Sequence, residues 1–277
     1  MSDTALDSRT ATRQLIRDTV DPALWARNEA FTRELVSDTI LAHRLHCHPI
    51  LQAWENGEFT LRAIQLVHTE VRAAFLEAFS ESLLRLMQTA SQLEPTLGYR
   101  AKLAARFLVQ LNVLDEIGFK LDGGDGRALG HPSFAHYWLL ADAMRTLGLD
   151  EAGWRAHTPS PEARATRATL DENQNDHLRL AVLLACIETV FMPYYGPWAK
   201  NSIRVCPALA EPNGYHSVHV EDDAGHFVDD DHSEDSWYVV RQALTAERYD
   251  EIRRFTGALL DTWATLFDRL HELRRLQ

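Results

Sequence analysis

Apolar residues along this chain recur at helical spacing almost throughout, and no stretch shows the alternation of a half-buried strand. After a polar start, Asp21 followed by Pro22 reads as an N-cap with proline at the first helical position. Leu24, Phe31, Leu35 and Ile40 then mark one face of a helix that reaches about Arg44. Pro49 breaks the backbone, and Asn56 with Gly57 ends a short turn. Thr60 caps a long helix through Leu66, Val71, Phe75, Phe79, Leu83 and Leu86. Another runs through Leu103, Phe107, Leu111 and Leu114 to Asp115 and Glu116. The glycine-rich FKLDGGDGRALG reads as flexible spacing, and His131–Pro132 opens the next helix. From about Pro161 a helix passes through DENQNDH into the apolar LRLAVLLACIETVFM, and Pro193 with Gly196 kinks or ends it. A strongly periodic segment of about 30 residues closes the chain. The expectation is an all-α fold of about eight or nine helices in one domain over residues 21–277, preceded by a mobile tail over residues 1–20.

A chain of 277 residues with 45% hydrophobic residues is long enough to bury a site from water. The formal charge of −12 and the lack of a basic stripe argue against a nucleic-acid partner. With no apolar run of membrane-spanning length and no apolar signal region at the start, the expectation is a cytoplasmic protein with no membrane partner. Cys47, Cys186 and Cys206 are odd in number and outside any CxxC pattern, so neither a disulfide framework nor a zinc knuckle is expected.

Three constellations carry candidate chemistry. In YHSVHVEDDAGHFVDDD, His219, Asp223 and His226 have the spacing HxxxDxxH, which on one helix brings them within roughly 60° of one another. Two imidazoles and a carboxylate suit iron, manganese or zinc. Gly225 weakens that helix, and slipped sets using His216 or Asp222 stay open. Glu188 sits inside an apolar run, where an ionised carboxylate is costly unless paired or metal-bound, with Arg204 or a core histidine as the structural alternative. Glu116 ends one helix and His131 begins the next. Three carboxylates and three imidazoles exceed the needs of one zinc and match two divalent ions. A ferritin-like Glu-x-x-His pattern is absent. His43, His46 and His48 straddle a helix end and a proline, a Cys47 nucleophile with a histidine neighbour is conceivable but nothing shows a depressed thiol pKa, and DGGDG lacks the ligands of a calcium loop.

HPILQAWENGEFTLRAIQLVHTEVRAAFLEAF resembles the early helices of the heme-oxygenase-like (TENA and PQQ-synthesis-like) fold. LNVLDEIG with HPSFAHYWLLADAMRTLGL, ACIETVFMPYYG and HSVHVEDDAGH resemble the metal-binding helices of the heme-oxygenase-like di-iron oxidases and oxygenases. The resemblance implies metal ligands at Glu116, His131, Glu188, His219, Asp223 and His226, with Glu116, Glu188 and Asp223 the carboxylates at the reacting centre. It implies two Fe(II) ions, O2 as co-substrate and an external reductant. It also implies oxidation of a small molecule, a free amino acid or amine in natural-product biosynthesis, by C–H oxidation, desaturation or N-oxygenation. Trp138, Phe191, Tyr194 and Tyr195 would wall the pocket, and Arg204 would meet a substrate carboxylate. The alternatives are a metal-independent member of the same fold (a cofactorless oxidase or a thiaminase-like hydrolase) and a non-catalytic metal-binding protein. The long terminal amphipathic helix suggests a homodimer.

Overall fold

The computed structural model describes residues 7–121, 128–212, 214–218 and 228–276. These residues form thirteen α-helices around a main apolar core that draws side chains from Ile16 to Leu273, with a small second cluster of Ala90, Leu93, Ala101 and Ala105 beside it. The all-α expectation holds, with more helices than the eight or nine expected because several long segments are broken. Short π turns add local irregularity.

Within the expected tail, the described residues from Asp7 on are folded onto the rest of the chain. Ser8–Asp18 is helix α1, capped by the Asp7 carboxylate, which accepts the N–H groups of Arg9 and Thr10 at 2.9 and 3.0 Å. Its polar composition hides a stripe of Thr12, Ile16 and Val20 that is buried in the fold. Arg9 and Arg13 fasten it to the buried Asp235. Helix α2 (Pro22–Glu34) starts at the expected Asp21 cap and passes into a π turn, Leu35–Ile40. The short α3 is Pro49–Glu55.

Helices α4 (Leu61–Val71) and α5 (Glu77–Thr89) are joined by a second π turn, Arg72–Leu76. The wider turn puts both Phe75 and Leu76 on the inward side, between Val71 and Phe79. Helix α6 (Glu94–Glu116) is interrupted at Gly98. Its inner face is not the expected Leu103 and Phe107, which are exposed, but Ala101, Ala104, Ala105, Leu108 and Asn112. Small alanines let the helix approach its neighbours closely, so the large apolar groups are left outside.

Two three-residue strands, Phe119–Leu121 and Ala128–Gly130, pair antiparallel with Phe119 opposite Gly130. Sequence alternation over three residues is too short to register. Gly118, at φ 87°, turns the chain out of α6. A Cβ there would lie 2.5 Å from the His131 carbonyl oxygen and 2.7 Å from the Ala135 nitrogen. The close approach brings the end of α6 against α7 (His136–Thr146). Helix α8 is Glu151–Ala156, and α9 is Pro161–Asn173.

The helix expected to run unbroken from Pro161 instead restarts at His177, where Asp176 caps α10 (His177–Val205) by accepting the Arg179 N–H at 3.0 Å. Pro193 and Pro197 do not end α10. Each removes one backbone bond, and the surrounding burial of Phe191, Tyr194 and Trp198 holds the helix across both. By length and composition α10 could cross a membrane, yet 67% of its most apolar window is buried inside the fold, as in a central core helix. It packs against α3, α5, α12 (Val228–Ala243) and α13 (Tyr249–Glu272). The apolar face of α13, with Leu259, Leu260, Trp263 and Phe267, is buried within the same chain.

Candidate functional site

Helices α3 to α7, α10 and α13, with the four-residue α11 (Tyr215–Val218), surround a cavity of about 70 Å³. One water needs on the order of 10–15 Å³, so this space admits several waters or part of a small molecule. Its wall is mostly apolar and aromatic, with the tyrosines Tyr137, Tyr194, Tyr195 and Tyr215 among the rings, and Glu116, His136 and Glu188 interrupt it.

Helix periodicity explains how α10 supplies so much of the wall. Ile187, Glu188, Phe191, Tyr194, Tyr195 and Trp198 recur at intervals of one, three or four and so share one face. On α6, Asn112 and Glu116 are one turn apart on the same side. Asn112 is buried, and its Nδ2 donates to Glu188 Oε1 at 2.9 Å. Among the described residues this amide, and not Arg204, is seen to meet Glu188 from a facing helix. Glu116 Oε1 lies 2.9 Å from His136 Nδ1, and both side chains are nearly buried. The other nitrogen of the ring, Nε2, is 3.7 Å from Asp115 Oδ2. Glu116, His136 and Glu188 each make further interactions beyond these.

The expected pairing of Glu116 with His131 is therefore corrected. His131 is exposed and sits at the start of a short 3-10 turn, Pro132–Phe134, where its Nδ1 accepts from the Ser133 N–H and hydroxyl at 3.2 and 2.7 Å. The imidazole beside Glu116 is His136, five residues on. The signal that finds it is periodic, because His136 continues the buried stripe Leu140, Ala143, Met144 and Leu147 of α7, whereas His131 precedes the helix.

Among the expected wall residues, Phe191, Tyr194 and Tyr195 line the cavity. Trp138 does not: two residues after His136, it lies on the opposite face of α7 and is 45% exposed. Arg204 also stands elsewhere. It packs over Gly57, with Nη1 donating to the Asn56 carbonyl oxygen at 2.7 Å. His219, Asp223 and His226 lie outside the described residues.

A second buried cluster adjoins the cavity. His68 Nδ1 donates to the Ile64 carbonyl oxygen at 2.8 Å, and its Nε2 is 3.1 Å from His216 Nε2. Its ring packs on Trp198 with centroids 4.5 Å apart. Burial pushes the His68 pKa down to about 4. With Nδ1 donating, its Nε2 must accept, so His216 donates. The sequence had offered His216 only as a slipped metal ligand, and His68 carried no signal at all.

The competing sites disperse. His43 pairs with Asp261 at 3.2 Å and His48 with Asp268 at 3.0 Å, both on α13. Cys186 is buried, its pKa pushed up to about 12 by desolvation, so its thiol is inert.

The chain matches no protein-family model and no curated protein. It is similar to a CADD-like protein of unknown function from Nostoc punctiforme PCC 73102, known from crystal structures at 2.00 and 1.35 Å resolution. Both share 17% sequence identity with it and cover 90% of this chain, with TM-scores of 0.56 and 0.55. They are covered over 97% and 96% of their own length. At that identity the likeness concerns the fold alone.

Proposed function

We propose that this protein is a non-heme, iron- and O2-dependent oxidase or oxygenase of the heme-oxygenase-like kind, acting on a small molecule. The observation that carries the reading is the lining of one aromatic cavity by two carboxylates and an imidazole from α6, α7 and α10. Carboxylate oxygen and imidazole nitrogen are the donors non-heme iron takes. Among the described residues no three such groups form a ready-made metal cluster. The proposed set therefore takes Glu116, His136 and Glu188 together with His219, Asp223 and His226. The chemistry supplied by two bound Fe(II) ions would be activation of O2 for attack on a C–H or N–H bond, with an external reductant as electron source.

The residues of this chain have separate tasks in that reading. Asn112 holds one oxygen of Glu188 and so fixes the carboxylate's orientation. Glu116 keeps the His136 ring in place and can exchange a proton with Nδ1 across their 2.9 Å contact. Phe75, Phe191, Tyr194 and Trp198 exclude water from the reacting space.

Anaerobic Fe(II) titration followed by O2-uptake measurements tests the proposal. Saturation near two equivalents and iron-dependent O2 consumption are expected. His136→Ala should lose both while His131→Ala keeps them. Absence of specific iron binding by the wild-type protein would sink the reading.

A further inference from the structure

We infer that the outer face of α6 is the surface on which two copies of this chain pair, antiparallel and about a two-fold axis at Phe107; the inference stands apart from the oxidase reading. Its starting point is a row of large apolar groups on the outside of the helix. Helix α6 turns Ala101, Ala104, Ala105 and Leu108 toward the fold, where it packs against α1, α5 and α12. The opposite side carries Tyr99, Leu103, Phe107 and Leu114, which at about 100° of rotation per residue lie within roughly 80° of one another. Tyr99, Leu103 and Phe107 are 59%, 52% and 43% exposed, and Ile117, just past the helix end, is exposed as well. Single exposed apolar residues are ordinary on any surface, whereas an aligned row marks a contact. From Tyr99 to Glu116 this face is about 26 Å long, at 1.5 Å per residue. Helix α5 broadens it: Arg106 Nε donates to the Met87 carbonyl oxygen at 2.9 Å, and Leu84, one turn before Met87, is exposed.

The placing of charge selects the occupant. Gly98, at φ 83°, interrupts α6, so Arg100 stands in the first turn of the segment that follows, and Asp115 stands in its last turn. Both charges oppose the dipole of their own helix, which is positive at the N-terminal end and negative at the C-terminal end. Beside an antiparallel helix, each faces the end that suits it. With Phe107 opposite Phe107 of the second copy, Leu103 meets Leu111, and Arg100 comes level with Leu114 and Asp115. The contact is then made twice, as an isologous interface requires. Arg100 is exposed and has no carboxylate partner among the described residues. The Asp115 side chain is 28% exposed, with the His136 ring 3.7 Å away. At a formal charge of −12 two copies repel one another in general, so they meet where an apolar centre and matched charges coincide.

Sedimentation velocity of the full-length protein at about 100 μM tests this. The expected species has twice the chain mass. Phe107→Glu and Leu103→Lys should each weaken pairing by roughly a hundredfold. Both side chains are already exposed, so the far-ultraviolet circular dichroism of these variants should match the wild type. Arg100→Asp alone and Asp115→Arg alone should each weaken pairing about tenfold, and the double variant should restore it. A monomeric wild type overturns the inference. So does a dimer that Phe107→Glu and Leu103→Lys leave intact, which would place the pairing on another surface such as α13. A double variant that pairs no better than either single one overturns the antiparallel register.

Discussion

Glu70 and Glu188 are both carboxylates drawn into the helical core, and their surroundings differ in kind. Glu70 is 6% exposed and saturated by one neighbouring loop. Its Oε1 meets His157 Nε2 at 2.6 Å, and its Oε2 accepts the Ser160 hydroxyl at 2.6 Å and the Ser160 N–H at 3.0 Å. It lies off the cavity wall and locks the α8–α9 connection onto α4. Glu188 meets Asn112 from α6 and lines the cavity beside Glu116 and His136. Burial of a carboxylate thus does not by itself mark a functional site. The open space it faces, and the other titratable groups facing the same space, do.

The sharpest way to break that contrast is through stability. Glu70→Ala should cost roughly 3 kcal/mol, because it leaves His157 and the Ser160 donors without their acceptor. Urea denaturation reads the loss, and the Fe(II) stoichiometry of the folded variant should be unchanged. Iron binding lost along with Glu70 would merge the two classes.

The pH dependence is nearly as large. His68 and His177 are both held neutral by burial, with pKa values lowered from 6.5 to about 4. Each charges more readily in the unfolded chain, so the folded state binds fewer protons between those values. Stability from each histidine is therefore complete above about pH 6.5 and falls as pH drops toward 4, by roughly 3 kcal/mol per group. Melting temperature measured from pH 7 to pH 4 checks the slope, and His68→Gln should flatten part of it. An unchanged slope in that variant would remove His68 from the account.

Glu188→Gln is expected to change stability by about 1 kcal/mol or less, since the amide can still accept from Asn112 and no charge need be buried. Its iron binding should fall steeply. The smallest effect separates the two histidines. His131→Ala should cost about 0.5 kcal/mol through its cap to Ser133, measured by thermal unfolding, and leave O2 uptake intact.

Much of the helical frame was legible because its signals are local. The Asp21–Pro22 start and the Thr60 cap depend on a few adjacent residues, and both recur in the fold. Glu188 stood out for a similar reason, as a carboxylate in an apolar run. The missed features depend on contacts distant in sequence. Helix α1 has too few apolar groups to declare itself until Ile16 is buried by the rest of the fold, and Asp235 lies more than two hundred residues away. Pro193 with Gly196 inside α10 read as a kink or an end because the aromatic packing that holds the helix together is tertiary. The choice of His131 over His136 followed from reading Pro132 as the first turn of an α-helix. The chain instead makes one 3-10 turn there, and the close approach at Gly118 sets which imidazole meets Glu116.

The most direct measurement of the central claim is a set of Fe(II) binding isotherms for the wild-type protein, Glu70→Gln and Glu188→Gln under one condition. Wild type and Glu70→Gln should saturate alike near two equivalents, while Glu188→Gln loses high-affinity iron without unfolding. Three superimposable isotherms would contradict it.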